Sequence, residues 1–145
     1  MPVVSYASVS ASPPLLVVAC DPAAFTTRLA SSSRAFSLSL LGRRQVQAME
    51  RLATTSGRNV TDKLSYAGLN YTGGVKLDVP VIRGAEATLE CRLHSRRRMG
   101  DHVLLVGSVQ ACYASRKFSD FWDFKEYKPV LYTGWRGGIT TYEGT

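Results

Sequence analysis

The sequence contains no apolar run long enough to cross a membrane. Its longest early apolar stretch, residues 13–20, is far shorter than the roughly 20 residues that a spanning helix needs. No positively charged segment precedes that stretch, so the pattern of a secretory signal is also missing. We therefore expect a cytoplasmic protein that makes no membrane contact.

Cysteine and histidine are scarce. The three cysteines, Cys20, Cys91 and Cys112, are odd in number and widely spaced, and the two histidines are His94 and His102. They form neither a CxxC pair nor a cluster at metal-ligand spacing, which argues against a zinc site and against a disulfide framework. We expect free thiols that pack as small apolar groups in a reducing compartment, and no bound metal.

Several catalytic and nucleotide-binding signatures are absent. The chain has no GxSxG elbow, no Ser-x-x-Lys pair and no obvious pair of carboxylates. It therefore offers few side-chain arrangements that could catalyse a reaction without a cofactor. It also has no GxGxxG loop and no P-loop, which argues against a Rossmann domain and against an NTPase. If the protein is an enzyme, we expect a cofactor to carry its reaction.

The composition is typical of a folded protein, and we expect one domain over residues 1–145. The chain is 45% hydrophobic and 20% charged, and its net charge is +7. The basic residues are scattered except for three consecutive arginines at 96–98, which fall where a hairpin turn is predicted. Since a charged turn is usually only solvated, we expect no nucleic-acid partner; an anionic ligand or protein partner would also suit the charge.

The hydrophobic patterns predict a mainly β protein. Residues 85–94 and 102–113 alternate cleanly around the charged segment 95–101, which predicts a long antiparallel hairpin with Thr88 and Glu90 on its polar side. Segment 56–84 is predicted to be an irregular connection with one short helix at 62–67. Seven or so strands with two or three interposed helices indicate an antiparallel barrel rather than βαβ units. The other predicted strands are 3–11, 15–20, 35–40, 129–133 and 139–142, and the other predicted helices are 26–32 and 43–54.

Two stretches could hold a cofactor. In residues 2–10, small and hydroxyl side chains would let a planar ligand approach the backbone, although they equally suit an ordinary Ser-rich edge strand. Residues 20–27 are a strand end that turns into a helix start, where free N–H groups and the helix dipole attract phosphate. Thr26 and Thr27 would add hydroxyl donors there, and plain helix capping is the alternative. Trp122, Phe124 and Tyr127 are interpreted as core or as a lid over a ligand.

Eight segments, taken in order, cover nearly the whole chain: SYASVSASPPLLVVAC, FTTRL, AFSLSLL, GRRQVQAMERLATTSG, DKLSYAGL, ATLECRL, GDHVLLVGSV and KPVLYTGWRGG. Together they resemble the flavin reductase-like family. This family includes the flavin reductases that serve two-component monooxygenases, and the flavoredoxins. The resemblance implies an FMN-binding split barrel, which is a Greek-key antiparallel barrel that forms a homodimer with flavin near the interface.

The resemblance also implies a flavin site. Residues 3–5 would follow the edge of the flavin ring, while Thr26, Thr27 and Lys63 would hold its phosphate. NADH or NADPH would be a transient co-substrate that stacks on the exposed flavin face, which agrees with the missing GxGxxG loop. The implied FMN contacts are Val3, Val4, Ser5, Tyr6, Cys20, Asp21, Pro22, Phe25, Thr26, Thr27 and Lys63.

The function implied by the resemblance is an NAD(P)H-dependent flavin reductase. A flavoredoxin-type electron carrier reduced by a protein partner is one alternative, and a barrel module that has lost flavin binding is another. Two differences from the family favour the last: its usual first strands have no counterpart ahead of Met1, and the polar residues usual in the turn at 21–24 are weakly represented. In addition, Ser39 stands where Asn is common, and Trp135 stands where small residues are common. We expect these differences to affect flavin binding more than the fold.

Overall fold

The structure is a computed structural model that describes residues 1–116, 118, 122–134 and 138–142 of the 145-residue chain. Its strands are β1 (Tyr6–Ala11), β2 (Pro14–Cys20), β3 (Ala35–Leu40), β4 (Tyr71–Gly73), β5 (Pro80–Ile82), β6 (Ala87–Met99), β7 (His102–Ala114), β8 (Val130–Tyr132) and β9 (Ile139–Thr141). Its helices are α1 (Phe25–Ser33), α2 (Val46–Thr54) and α3 (Lys63–Tyr66), with a 3₁₀ turn at Arg43–Gln45 before α2. The prediction of a mainly β chain with a few short helices is therefore confirmed.

Five strands form one antiparallel sheet in the order β1-β2-β7-β6-β3. The long hairpin of β6 and β7 lies at its centre, β1 and β2 form a second hairpin on one side, and β3 is the opposite edge. Because β2 and β3 follow each other in the chain but lie on opposite sides of the central hairpin, the chain crosses over between them through α1. Two further hairpins, β4-β5 and β8-β9, lie outside this sheet.

Alternating side chains of β2 and β7 build the larger core cluster. Leu16 and Val18 of β2 are buried together with Val103 and Leu105 of β7, and Ala30 of α1 covers them. Alternate residues of a strand point to opposite faces, so the short apolar run in β2 supplies this cluster with every second side chain. The crossover helix is thereby fixed against the sheet.

Gly107 leaves room on β7 for the side chains of Cys91 and Phe36. A β-carbon at this position of β7 would lie 2.7 Å from the Cβ of Cys91 and 2.7 Å from the ring carbon Cζ of Phe36. Real β-carbons do not approach other atoms this closely, so any larger residue would displace the Phe36 ring. The glycine therefore sets the position of an aromatic ring on β3.

A second cluster attaches the other helices to the end of β3. Ala48 and Leu52 of α2 are buried against Leu41, Ala67 and Leu69. The three-to-four-residue spacing of the α2 residues is that of one helix face, as predicted for 43–54. Within the described residues, no helix is sufficiently long and apolar to cross a membrane.

The turn of the central hairpin differs from the prediction. The charged segment is predicted to be a loop, but β6 continues to Met99, and only Gly100 and Asp101 separate it from β7. Gly100 has a φ of 58°, a left-handed conformation that suits a tight turn. The arginines at 96–98 pair with residues 103–105 and remain exposed, so they extend the strand.

The connection at 56–84 is more regular than predicted, and one face of β6 is misassigned. The connection contains β4 and β5 in addition to the predicted short helix. The loop between those strands packs onto Glu90, and the Ser39 hydroxyl lies 3.3 Å from that of Thr88. As a result, Thr88 and Glu90 are 2% and 0% exposed, although alternation predicts a polar, solvated face. The first strand also begins at Tyr6 rather than at Val3.

Candidate cofactor-binding site

A cavity of about 500 Å³ opens beside β3, the edge strand of the main sheet. The described residues that line it belong to the start of the chain, α1, β3, α2, residues 63–64, residues 78–80, Ile82, Tyr127 and Val130. Much of the lining is apolar, so the cavity suits a ligand with a large apolar surface. Polar side chains in the lining include Thr26, Ser33, Ser37, Ser39, Lys63 and Asp78.

β3 presents a free edge to this cavity. The backbone carbonyls of Arg34 and Leu40 accept N–H groups from the β6 side at 2.9 and 2.8 Å. Backbone groups alternate in direction along a strand, so those of Ser37 and Ser39 point the other way. In the described part of the chain, no strand pairs with that edge. A ligand in the cavity therefore meets a row of backbone donors and acceptors that need hydrogen-bond partners.

Lys63 lines the cavity from the first position of α3, where Asp62 caps the helix. Oδ1 of Asp62 accepts the N–H groups of Leu64 and Ser65 at 3.1 Å each, and Oδ2 accepts the hydroxyls of Ser65 at 2.6 Å and Tyr71 at 2.9 Å. These bonds, chiefly those from Ser65, lower the pKa of Asp62, and partial burial lowers the pKa of Lys63. Among the described lining residues, Lys63 has the only cationic side chain.

The turn before α1 is held by hydrogen bonds within the chain. The Asp21 carboxylate accepts the Ala23 N–H at 2.8 Å, and the Asp21 carbonyl accepts the Ala24 N–H at 3.1 Å and the Thr27 hydroxyl at 2.8 Å. The thiol of Cys20 is buried beside this turn; burial raises its pKa, and a hydrogen bond with Thr27 opposes the change. These residues fix the direction in which α1 starts.

Two guanidinium groups flank Phe25 at the start of α1. The Cζ of Arg28 lies 4.8 Å from the centroid of the Phe25 ring, and the Cζ of Arg58 lies 5.9 Å from it. Arg58 also donates to the Ala23 carbonyl at 3.0 Å, and a β-carbon on Gly57 would lie 3.0 Å from the Phe25 ring. The helix start is therefore surrounded by positive charge, which the sequence did not predict because Arg58 and Ala23 are 35 residues apart.

The cavity brings together four of the residues for which the resemblance implies FMN contact: Val3, Tyr6, Thr26 and Lys63. The others do not line it. Val4, Ser5 and Asp21 are exposed, Pro22 and Phe25 are partly buried, and Cys20 and Thr27 are buried. For Thr27 the structure gives a specific reason, since both its hydroxyl and its N–H donate to backbone carbonyls of the turn.

The predicted aromatic cluster supplies one wall of the cavity. Tyr127 is 7% exposed and lines the cavity, and its ring centroid lies 4.6 Å from that of Trp122. Burial raises the pKa of Tyr127 to about 12, so its hydroxyl is protonated at neutral pH. Phe124 is 50% exposed and stacks on Tyr127 from outside. The cluster is thus partly core and partly surface.

The fold and the cavity define an antiparallel split-barrel protein with room for a cofactor, and comparison with known proteins assigns its family. The model of the flavin reductase like domain matches residues 1–134, so the chain belongs to that family. The resemblance that the sequence segments suggested is confirmed. The architecture is that of an FMN-binding split barrel.

Individual relatives agree with this assignment. A flavin reductase of Pseudomonas putida is 30% identical over 76% of this chain, and an uncharacterized protein of Aeropyrum pernix is 33% identical over 86% of it. The chain spans 48% of the Aeropyrum protein and 61% of the Pseudomonas protein. An FMN-binding protein from Thermus thermophilus superposes with a TM-score of 0.83 at 31% identity, covering 99% of this chain and 78% of the other. The flavoredoxin of Desulfovibrio vulgaris, at 20% identity and TM-score 0.82, covering 97% of this chain and 76% of the other, shares the fold.

Proposed function

We propose that this chain is a single domain that binds FMN in the cavity beside β3 and acts as an NAD(P)H-dependent flavin reductase. The observation that carries the proposal is the combination, in one cavity, of apolar walls, a free strand edge, Lys63 and the start of α1. The Thermus FMN-binding protein supports FMN as the ligand, and the Pseudomonas flavin reductase supports the reaction.

The residues of the cavity fit FMN. Its volume of about 500 Å³ lies within the ~300–1,000 Å³ of common ligand pockets. The flavin ring is planar and largely apolar, and Phe36, Leu38 and Val79 offer apolar surfaces against which it can pack. The phosphate needs hydrogen-bond donors and positive charge, which the Thr26 hydroxyl, the Lys63 ammonium and the first N–H groups of α1 supply.

Different parts of the chain then bind different parts of the cofactor. Val3 and Tyr6 would pack against the ring, and the backbone groups of Ser37 and Ser39 would bind its polar edge. When bound, FMN supplies the ring that accepts hydride. The contribution of the chain is to hold that ring and limit water around it, because transfer requires close and aligned approach of the nicotinamide.

The remaining residues implied by the resemblance have indirect roles in this proposal. Residues 20–22, Phe25 and Thr27 shape the turn that orients α1, and Arg28 and Arg58 add positive charge beside it. Contact of Val4 and Ser5 with the ring stays a prediction. NADH or NADPH is the transient co-substrate, and a monooxygenase component is the acceptor of electrons that the family suggests.

A homodimer with the cavity near its interface is part of the proposal. β1 is an edge strand whose apolar side chains face solvent, with Tyr6 49% and Val9 54% exposed, and neighbouring Val4 is 61% exposed. Exposed apolar residues of this kind on one edge favour association with a second copy. Sedimentation of the wild type and of Val9→Asp tests this: the wild type should sediment as a dimer and the variant as a monomer.

The absorbance spectrum of the purified protein, followed by anaerobic titration, tests the function. We expect flavin bands that stay with the protein after FMN is added and the unbound FMN is removed, and their loss when NADH or NADPH is added. Reduction only by another redox protein would instead assign the flavoredoxin-type carrier. A protein with no affinity for FMN would be a barrel module that has lost its cofactor.

A further inference from the structure

Glu90, in the middle of β6, is a carboxylate fully withdrawn from solvent. Its side chain is 0% exposed, and no described lysine, arginine or histidine forms an ion pair with it. A buried charge without a counterion requires several hydrogen bonds to be stable. Alternation predicts Glu90 on the polar side of its strand, and the contact that buries it comes from a distant segment of the chain.

The loop between β4 and β5 supplies those hydrogen bonds. Oε1 of Glu90 accepts the N–H of Val75 at 2.7 Å, and Oε2 accepts the N–H groups of Lys76 at 2.9 Å and Leu77 at 2.8 Å. The Tyr113 hydroxyl on β7 donates to Oε1 at 3.2 Å. Three consecutive backbone N–H groups on one carboxylate form an anion-binding turn, here filled by a side chain of the same molecule.

The loop closes so tightly around the carboxylate that it needs a glycine. A β-carbon on Gly74 would lie 2.5 Å from the Leu77 carbonyl oxygen and 2.7 Å from Oε2 of Glu90, whereas a β-carbon on Gly73 would have no atom within 4 Å. The Gly74 N–H donates to the Val79 carbonyl at 2.9 Å, which closes the loop. The loop thus has one conformation while Glu90 occupies it.

The same loop continues directly into the cavity wall. Asp78, Val79 and Pro80 line the cavity, and the Pro80 carbonyl accepts the Ser37 hydroxyl of β3 at 2.5 Å. Glu90 does not line the cavity itself. Its carboxylate therefore connects the central sheet to a wall that faces the ligand.

We propose that Glu90 is a positioning residue for the flavin: by fixing the β4–β5 loop, its carboxylate sets the place of Asp78, Val79 and Pro80 against the bound ring. This inference rests on the proposed function. The role is indirect, because Glu90 is separated from the ligand by the loop that it holds. It predicts that a variant with a loosened loop binds and aligns the flavin less well than a variant that is equally destabilised but keeps the loop intact.

The first test is Glu90→Gln, which keeps the shape but replaces one acceptor oxygen with a donor that cannot accept the loop N–H groups. We expect the Kd of FMN to rise about tenfold, since hydrogen bonds to charged groups are the strong ones. We expect kcat with NADH to fall about tenfold, with KM for NADH little changed, because ring alignment is altered. The visible circular dichroism of bound FMN should change as well.

A stability control separates positioning from general loss of structure. Leu105→Ala removes buried apolar volume in the same sheet without touching the loop or the cavity, so it should lower stability and leave the Kd of FMN within about twofold of the wild type. If Glu90→Gln retains wild-type FMN affinity, kcat and dichroism, Glu90 is only structural and the inference is wrong.

Gly74→Ala and Gly73→Ala form a second, matched pair that leaves Glu90 intact. Gly74→Ala should expel the loop from the carboxylate, speed hydrogen exchange at the Val75, Lys76 and Leu77 amides and raise the Kd of FMN. Gly73→Ala should have none of these three effects. Equal FMN affinity in the pair overturns the inference even if Glu90→Gln fails to fold. If the wild type binds no FMN, both the proposed function and this inference are wrong. If the wild type binds FMN and the loop variants bind it equally well, only the inference is wrong.

Discussion

The hydroxyl of Thr27 donates a 2.8 Å hydrogen bond to the backbone carbonyl of Asp21, six residues earlier. The Thr27 N–H donates to the Ala24 carbonyl at 3.1 Å, and the residue is 2% exposed. Thr26, its neighbour, lines the cavity. Two adjacent threonines at one helix start therefore differ in role: Thr27 shapes the turn, and Thr26 is available to a ligand.

Valine substitution should separate these two roles. We expect Thr26→Val to raise the Kd of FMN about tenfold, because it removes a donor to a charged phosphate, and to leave riboflavin affinity unchanged. Thr27→Val should lower the free energy of unfolding by about 1 kcal/mol and affect both flavins equally. Calorimetric titration with FMN and riboflavin, together with urea unfolding, measures both effects. A Thr27→Val protein that selectively loses FMN would contradict this assignment.

Removal of the Lys63 charge should weaken phosphate binding specifically. Lys63→Met keeps the length of the side chain, and we expect it to raise the Kd of FMN about tenfold and to reduce the salt dependence of binding. The Kd of riboflavin should not change. Lys125→Met is the matched control, since the Lys125 side chain is exposed and does not line the cavity. Equal effects of the two substitutions would rule out a local role for Lys63.

The elements that the sequence predicts well are those whose pattern depends on one buried face. β3 alternates because the core lies on one side, and α2 repeats its apolar residues at helical spacing for the same reason. Asp62 is a local signal too, since an N-cap acts within three residues of its own position. Such features need no knowledge of the rest of the chain.

The features that the sequence does not predict depend on contacts between distant segments. Glu90 is buried because the β4–β5 loop packs on the second face of β6. Alternation of apolar and polar residues along a strand cannot show that another segment packs on its polar face. Arg58 reaches Phe25 only after the chain has folded back on itself. Val3 and Lys63 line the same cavity. Only the family resemblance predicted that these two residues share a site, because no pattern of spacing in the sequence connects them.

Substitution of Gly107 should disturb both the sheet and the cavity. The added methyl group of Gly107→Ala would lie 2.7 Å from the Phe36 ring and from Cys91, so we expect a loss of about 1–3 kcal/mol in the free energy of unfolding. Because Phe36 lines the cavity, FMN affinity should also fall. Gly73→Ala, with open space around it, should stay within about 0.5 kcal/mol of the wild type in urea unfolding. Similar losses in the two variants would show that packing at Gly107 is not tight.

The buried carboxylate of Glu90 should make the protein sensitive to acid. Burial by itself raises the pKa of a carboxyl, but the N–H bonds from residues 75–77 and the Tyr113 hydroxyl outweigh it and lower the pKa of Glu90 below its usual 4.5. The folded state therefore binds this proton less readily than the unfolded state does. The resulting stability is fully present above pH 4.5 and is lost as the pH falls through the folded pKa.

Urea unfolding of the wild type and of Glu90→Gln, between roughly pH 3 and pH 7, measures this contribution. The difference in unfolding free energy between the two proteins should be largest at neutral pH and should shrink in acid, because only the wild type loses an ionised group from the loop. Asp62 and Asp101, whose pKa values are also lowered, are present in both proteins, so their titration cancels in the difference. A difference that stays constant over this range would mean that the pKa of Glu90 is the same in the folded and the unfolded protein, and a difference that shrinks as the pH rises would mean that Glu90 is protonated in the folded protein.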